Sequence, residues 1–191
     1  MECFILAGGE SRRFGEDKLL YPFGDLRVVE QVLQTAKEVC QRVYLVAKER
    51  DKFSGLPAEI LLDELPLQSP VVGLYTALRH TSSPRVLLLS GDLPLLKPDV
   101  LKLLIRSYRE PVTLFSIEGK LHPLIAIYSK DLLPEVKDYI DSGGRSMKGF
   151  LERVGYKTIT EKEVLPLDPQ LSSFLNLNTK DDLERALEIM G

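Results

Sequence analysis

Cysteine is scarce in this chain. The two present, Cys3 and Cys40, have no CxxC or Cys/His spacing, which excludes a disulfide framework and a structural zinc site and fits a reducing compartment. Each reads as a small buried hydrophobe. A basic excess is missing as well. Lys and Arg number 25 against 28 Asp and Glu, giving a net charge of -3 and a pI near 5.5, so the footprint of a duplex-binding surface is absent and no nucleic-acid partner is expected. No apolar run approaches the ~20 residues a membrane span needs, and the first residues carry neither a basic n-region nor a signal-peptide core. The expectation is a cytoplasmic protein with no membrane partner. What remains is ordinary for a globular chain: 191 residues, 44% hydrophobic and 28% charged, with 13 Gly and 12 Pro. That composition excludes disorder, collagen and coiled coil, and the length suits one domain that buries a core without staples.

Short β-branched or Leu-rich runs, each ended by Gly, Pro or Asp, alternate with stretches of helical periodicity. This βα rhythm predicts strands at 2–7, 43–47, 59–62, 86–90, 112–117 and 124–128, several apolar throughout, as strands buried on both faces of a parallel sheet are. Val86-Leu87-Leu88-Leu89 reads as a central strand. Helices are predicted at 28–40, 71–79 and 98–108, the last with Pro98 in its first turn. After residue 128 the rhythm changes, with helices expected at 131–141 and 146–154 around the Gly143-Gly144 break, and a polar stretch at Glu161-Lys162-Glu163. Thr179 is placed to cap a final helix whose third residue is Asp182.

The first strand runs straight into Leu6-Ala7-Gly8-Gly9-Glu10-Ser11-Arg12-Arg13-Phe14-Gly15-Glu16-Asp17-Lys18. Gly8 and Gly9 remove side chains that would hold a ligand off the main chain, so successive N–H groups can turn onto phosphate oxygens. Arg13 and Lys18 add cationic donors at the same mouth. The stretch is built for a polyphosphate, and it lacks both the Gly-Lys-Ser/Thr of a P-loop and the G-x-G-x-x-G of a dinucleotide fingerprint.

That stretch resembles the L-A-G-G-x-S-x-R-x-G-x-D-K signature of the molybdenum cofactor guanylyltransferase family, relatives of the nucleotide-sugar pyrophosphorylases. Ser11, Arg13, Gly15, Asp17 and Lys18 all stand in place. Cytidylyltransferases acting on the same pterin, and other small nucleotidyltransferases, carry similar loops. Further segments match in the same order. Ser90-Gly91-Asp92-Leu93-Pro94 resembles the family's G/C-D-x-P segment, which implies that Asp92 holds Mg²⁺ on the triphosphate. A carboxylate at a strand's carboxyl end faces the ligand crevice of an open α/β sheet, which suits that role. Asp63, followed by Ser69-Pro70-Val71-Val72-Gly73, matches the aspartate of the nucleotide site and the G-P-L-x-G that opens a closely packed helix. By residue type alone, Asp63 equally suits a solvated acidic turn with Glu64.

On the acceptor side the resemblance implies His122 in an H-P segment, Arg145 in Gly143-Gly144-Arg145-Ser146, and Asn176 and Asn178 in the terminal N-x-N-T segment. The two asparagines would reach ligand or metal water, and Arg145 the pterin phosphate. Read as single residues, His122 and Arg145 also suit a strand junction and a solvated basic turn. One departure concerns the base. Several relatives have Asn in an N-A-N-R run at the end of the second strand, where this chain has Val46-Ala47-Lys48-Glu49. The Val46 side chain cannot hydrogen-bond a base edge, which leaves main-chain groups or Lys48 for that purpose and keeps both GTP and CTP open.

Together these features imply an α/β fold of Rossmann-like, GT-A-related type with a mostly parallel central sheet flanked by helices. Residues 1–191 would form one domain, its N-terminal half binding the nucleotide and its C-terminal half the acceptor. The implied reaction transfers GMP from GTP to the molybdopterin phosphate with Mg²⁺ as cofactor. Arg13, Lys18 and Asp92 would act on the reacting phosphates, and Leu6, Ala7, Gly8, Gly9, Lys18, Asp63, Gly73 and Asp92 would bind GTP. Transient contact with other cofactor-biosynthesis proteins is implied by the resemblance alone. A carrier that binds the nucleotide without chemistry is the reading from a different class.

Overall fold

The computed structural model describes residues 1–8 and 17–191. Gly9 and Arg13 lie outside the described residues. Strand β1 (Glu2–Leu6) opens the chain, and a short hairpin, β2 (Pro22–Phe23) with β3 (Leu26–Arg27), leads into α1 (Val28–Val39). Then come β4 (Arg42–Ala47), β5 (Glu59–Leu62), α2 (Pro70–His80), β6 (Arg85–Ser90) and α3 (Pro98–Arg106). The second half contains β7 (Val112–Ile117), β8 (Lys120–Ser129), α4 (Leu133–Asp141), α5 (Met147–Val154), β9 (Lys157–Thr160), α6 (Glu161–Val164) and α7 (Lys180–Met190).

Seven strands form one sheet in the order β5-β4-β1-β6-β8-β7-β9. All run in one direction except β8, which is antiparallel to both β6 and β7. The central strands are apolar on both sides because helices cover both faces. In β1, Cys3 and Ile5 pack with α1 and α3, while Phe4 packs with α2, α4 and α5; Leu87 and Leu89 of β6 divide from Val86 and Leu88 in the same way. Both cysteines are free and buried among apolar neighbours.

The helix ends follow local chemistry. Ser69 Oγ accepts from the Val71 amide at the start of α2, with Pro70 in the first turn, where its missing N–H costs nothing. Thr179 and Asp182 form a reciprocal capping box on α7, as their spacing predicts.

Two regions depart from the sequence expectations. The strand expected at 124–128 begins at Lys120, because the Glu118-Gly119 turn, with φ of 51° and 83°, folds β8 back onto β7. The polar stretch at 161–163 is the short helix α6, and β9, carrying the partly polar sequence Lys157-Thr158-Ile159-Thr160, is an edge strand of the sheet opposite β5. The strand order reverses at β1: β4 lies on one side and β6 on the other. In open α/β sheets ligands bind outside the carboxyl ends of the strands at such a switch point.

Candidate active site

The carboxyl ends of β1, β4, β5 and β6 open onto a cleft of about 260 Å³ lined by Leu6, Gly8, Val46, Lys48, Asp63, Gln68, Gly73, Ser90 and Leu124, among others. Because β8 is reversed, its amino end reaches the same edge. A second, smaller hollow of about 120 Å³ lies there between Leu93, His122, Leu124 and Asn176.

Asp92 stands just past β6, with only 7% of its surface exposed. The Lys18 ammonium lies 3.1 Å from its Oδ2. Ser90 Oγ donates to Oδ1 at 2.5 Å and Asn176 Nδ2 donates to the same atom at 2.9 Å. The Asp92 carbonyl accepts the Leu177 amide at 3.0 Å. Residues separated by 74 and 84 positions are thus brought onto one carboxylate. The sequence resemblance named Lys18, Asp92 and Asn176, but not Ser90, although Ser90 lies within the Ser90-Gly91-Asp92 segment.

Across the cleft, Lys48 Nζ is 3.0 Å from Asp63 Oδ2 and donates to the carbonyls of Leu65, at 3.1 Å, and Leu67. Three partners match the three hydrogens of an ammonium. The Thr76 hydroxyl lies 3.0 Å from the Val72 carbonyl and 3.3 Å from Asp63 Oδ1. Burial pushes the Asp63 carboxyl up from its usual range, against the pull of Lys48 and Thr76. Asp63 is therefore a structured carboxylate on the cleft wall rather than one member of a solvated turn. Gln68 Nε2 donates to the Gly8 carbonyl, a link with no signal in the sequence beyond Gln68 preceding the Ser69 cap.

Gly73 performs a packing task. A Cβ there would lie 2.6 and 2.9 Å from the two Leu6 methyls, so the bare Cα lets α2 approach the end of β1. The Ala7 amide donates to the Val46 carbonyl at 2.8 Å and is committed to the sheet rather than to a phosphate. Ala7 is buried, whereas Leu6 and Gly8 line the cleft.

The acceptor-side residues are divided. His122 is buried, packs tilted against Phe174 with ring centroids 4.9 Å apart and an interplanar angle of 58°, and is pushed down to a pKa of about 4, first by burial and then by Lys120. It borders the smaller hollow together with Asn176. Arg145 turns its guanidinium onto the carbonyls of Ile140 and Gly144, at 3.0 and 2.7 Å, at the end of α4. Its own carbonyl accepts from Ser69 Oγ at 2.5 Å, which fixes its loop to the start of α2. Asn178 is exposed and its amide donates to Asp182 Oδ2 at 2.9 Å, so it stands apart from the Asp92 cluster.

An open α/β sheet with a carboxylate and a lysine facing each other at the switch-point crevice is the architecture of a nucleotide-handling enzyme. Residues 3–157 match the MobA-like NTP transferase domain, and the chain belongs to that family of nucleotidyltransferases. It is 44% identical over 187 residues to a probable molybdenum cofactor guanylyltransferase of Aquifex aeolicus, covering 98% of this chain and 90% of the relative. A relative of the same description from Carboxydothermus hydrogenoformans is 33% identical over 189 residues, covering 98% and 95% of the two chains. Among solved structures, molybdopterin-guanine dinucleotide biosynthesis protein A from Archaeoglobus fulgidus superposes with a TM-score of 0.86 at 28% identity, covering 100% of this chain and 98% of the other.

Proposed function

We propose that this chain transfers GMP from GTP to molybdopterin carrying molybdenum, forming the guanine dinucleotide cofactor and releasing pyrophosphate. The observation that carries the reading is the Lys18–Asp92–Asn176 cluster beside the cleft at the switch point. The reacting atoms are an acceptor phosphate oxygen, the α-phosphorus and the pyrophosphate leaving oxygen, held in line. The acceptor is already anionic, so the protein has to position the groups and neutralise charge rather than supply a nucleophile.

In this reading Lys18 moves from Asp92 onto the triphosphate, and Arg13 adds a second cation. Gly8 and Gly9 carry no side chain that would hold the phosphates off the main chain. Mg²⁺ takes one or two carboxylates and otherwise phosphate oxygens and water. A single carboxylate such as Asp92 suits an ion carried mainly by the nucleotide. When bound, Mg²⁺ would neutralise charge on the phosphates. Asn176 holds the Asp92 carboxylate in orientation, and Ser90 does the same from the strand side.

For the base, Val46 offers no side-chain hydrogen bond and the Lys48 ammonium already has three partners. The Asp63 carboxylate, although Lys48 and Thr76 stand against its two oxygens, keeps further lone pairs, and an acceptor-only group complements the paired N–H donors of guanine better than the mixed edge of cytosine. His122 and Asn176 border the hollow suited to the acceptor, in keeping with a nucleotide half and an acceptor half within one domain. Among the described residues no helix is long and apolar enough to cross a membrane. We place the protein in the cytoplasm, in passing contact with the proteins that make and use the pterin.

The test is pyrophosphate release by the purified protein with Mg²⁺ and molybdopterin, with GTP and CTP in parallel and an acceptor-free control. Acceptor-dependent release with GTP is expected. Release with CTP alone would move the substrate, and release with neither would favour the carrier reading.

A further inference from the structure

The segment that precedes α7 is joined to the segment that follows β6 at two places. At one, Asn176 Nδ2 and the Leu177 amide donate to the side chain and carbonyl of Asp92. At the other, the Lys97 amide donates to Ser173 Oγ at 3.0 Å. Position rises from 92 to 97 on one segment as it falls from 176 to 173 on the other, so the two segments run in opposite directions between the two contacts.

Asp168 fixes the second contact. Its carboxylate is fully buried. Its Oδ1 accepts from the Ser172 amide at 3.3 Å and Ser172 Oγ at 3.1 Å, and its Oδ2 accepts from the Ser173 amide at 2.8 Å. Lys97 Nζ lies 3.5 Å from Oδ1. Burying a carboxylate is costly unless it is paired and hydrogen-bonded. Here the partners are the unpaired amides that open the turn at Ser172–Phe174 and the lysine of the opposite segment. The carboxylate thus orders the turn, and the ordered turn presents the Ser173 hydroxyl to Lys97.

We infer that Asp168 and Ser173 are positioning residues: by anchoring the chain three residues before Asn176 they hold the Asn176 amide on Asp92. The inference rests on the reading of Asp92 as the carboxylate of the reacting phosphates. Asp168→Ala would leave buried amides without acceptors and endanger folding, so Ser173→Ala is the variant to make, alongside Asn176→Ala and the double variant. Each single change is expected to lower pyrophosphate release about tenfold, with the double variant no slower than Asn176→Ala alone, because residues acting through one another are non-additive. Rates that multiply to about a hundredfold loss would overturn the inference.

Amide hydrogen exchange supplies a readout that does not need turnover. In Ser173→Ala, exchange at Leu177 should rise about tenfold while Leu88 in β6 keeps its rate. Unchanged protection at Leu177 would also overturn the inference. Faster exchange at Leu177 in a protein that proves unable to transfer GMP would support the clamp and remove the activity it was inferred to serve.

Discussion

Replacing Asp92 by Asn keeps the shape of the side chain and removes its charge, which makes it the sharpest probe of the site. Three donors converge on this carboxylate: Lys18 at 3.1 Å, Ser90 at 2.5 Å and Asn176 at 2.9 Å. An amide has one oxygen, so its NH₂ must face either the lysine or the Ser90 and Asn176 pair. Losing a charge-assisted bond and setting donor against donor should cost about 2 kcal/mol. For a chain of this size that is a fall of about 4–8 °C in Tm, well short of unfolding at room temperature. Turnover should fall on the order of 10²-fold or more, the scale of a single electrostatic group in a preorganised site. A melt followed by circular dichroism, paired with acceptor-dependent pyrophosphate release under saturating GTP and Mg²⁺, separates the two effects. A variant that releases pyrophosphate within about threefold of the wild-type rate would refute the assignment of Asp92 to the reacting phosphates.

Gly73→Ala places a methyl group 2.6 Å from Leu6 Cδ2 and 2.9 Å from Cδ1, and the Leu6 side chain can yield only into the cleft it lines. If about 1.4 kcal/mol of this crowding falls on the bound state, the KM for GTP rises about tenfold with kcat nearly unchanged; titration calorimetry that finds wild-type GTP affinity would contradict the packing role. His122, with its pKa lowered to about 4, should stay neutral from neutral pH down to that value. Its contribution to stability is present above the ordinary histidine value and lost as pH falls through about 4. NMR titration of the ring checks the first statement, and a shallower acid loss of Tm in His122→Phe checks the second.

The parallel core was legible because its strands are apolar on both faces and its helices carry one apolar stripe. The limits of β1, β4, β5, β6 and β7 fall within a residue of those expected from the sequence. The β2–β3 hairpin was not legible, since each strand is two residues long and shows no period. The direction of β8 was hidden as well. Its first residues, Lys120, Leu121, His122 and Pro123, do not read as a strand, and its orientation follows from the Glu118-Gly119 turn. At the site, the glycine-rich stretch stood out by its own residues, and Asp92 only through the family resemblance. The partners of Asp92 lie 74 and 84 positions away, a relation only the folded sheet supplies. The partners of Lys48 were equally hidden: its ammonium lies on the cleft wall against Asp63 and two carbonyls of the 65–67 segment.

The reversal of β8 places a tight turn on the same rim as the cleft. At its tip, Gly119 has open space where a side chain would stand, and exposed tips of this kind tolerate insertion. A short tag or fluorophore carried at Gly119 would therefore ride beside the acceptor hollow and sense what enters it. The same graft at Ser83, on the opposite rim of the sheet, would be blind to the ligand. The one strand that breaks the parallel order thus gives the molecule a port for a reporter that its βα loops, which wall the cleft itself, do not offer.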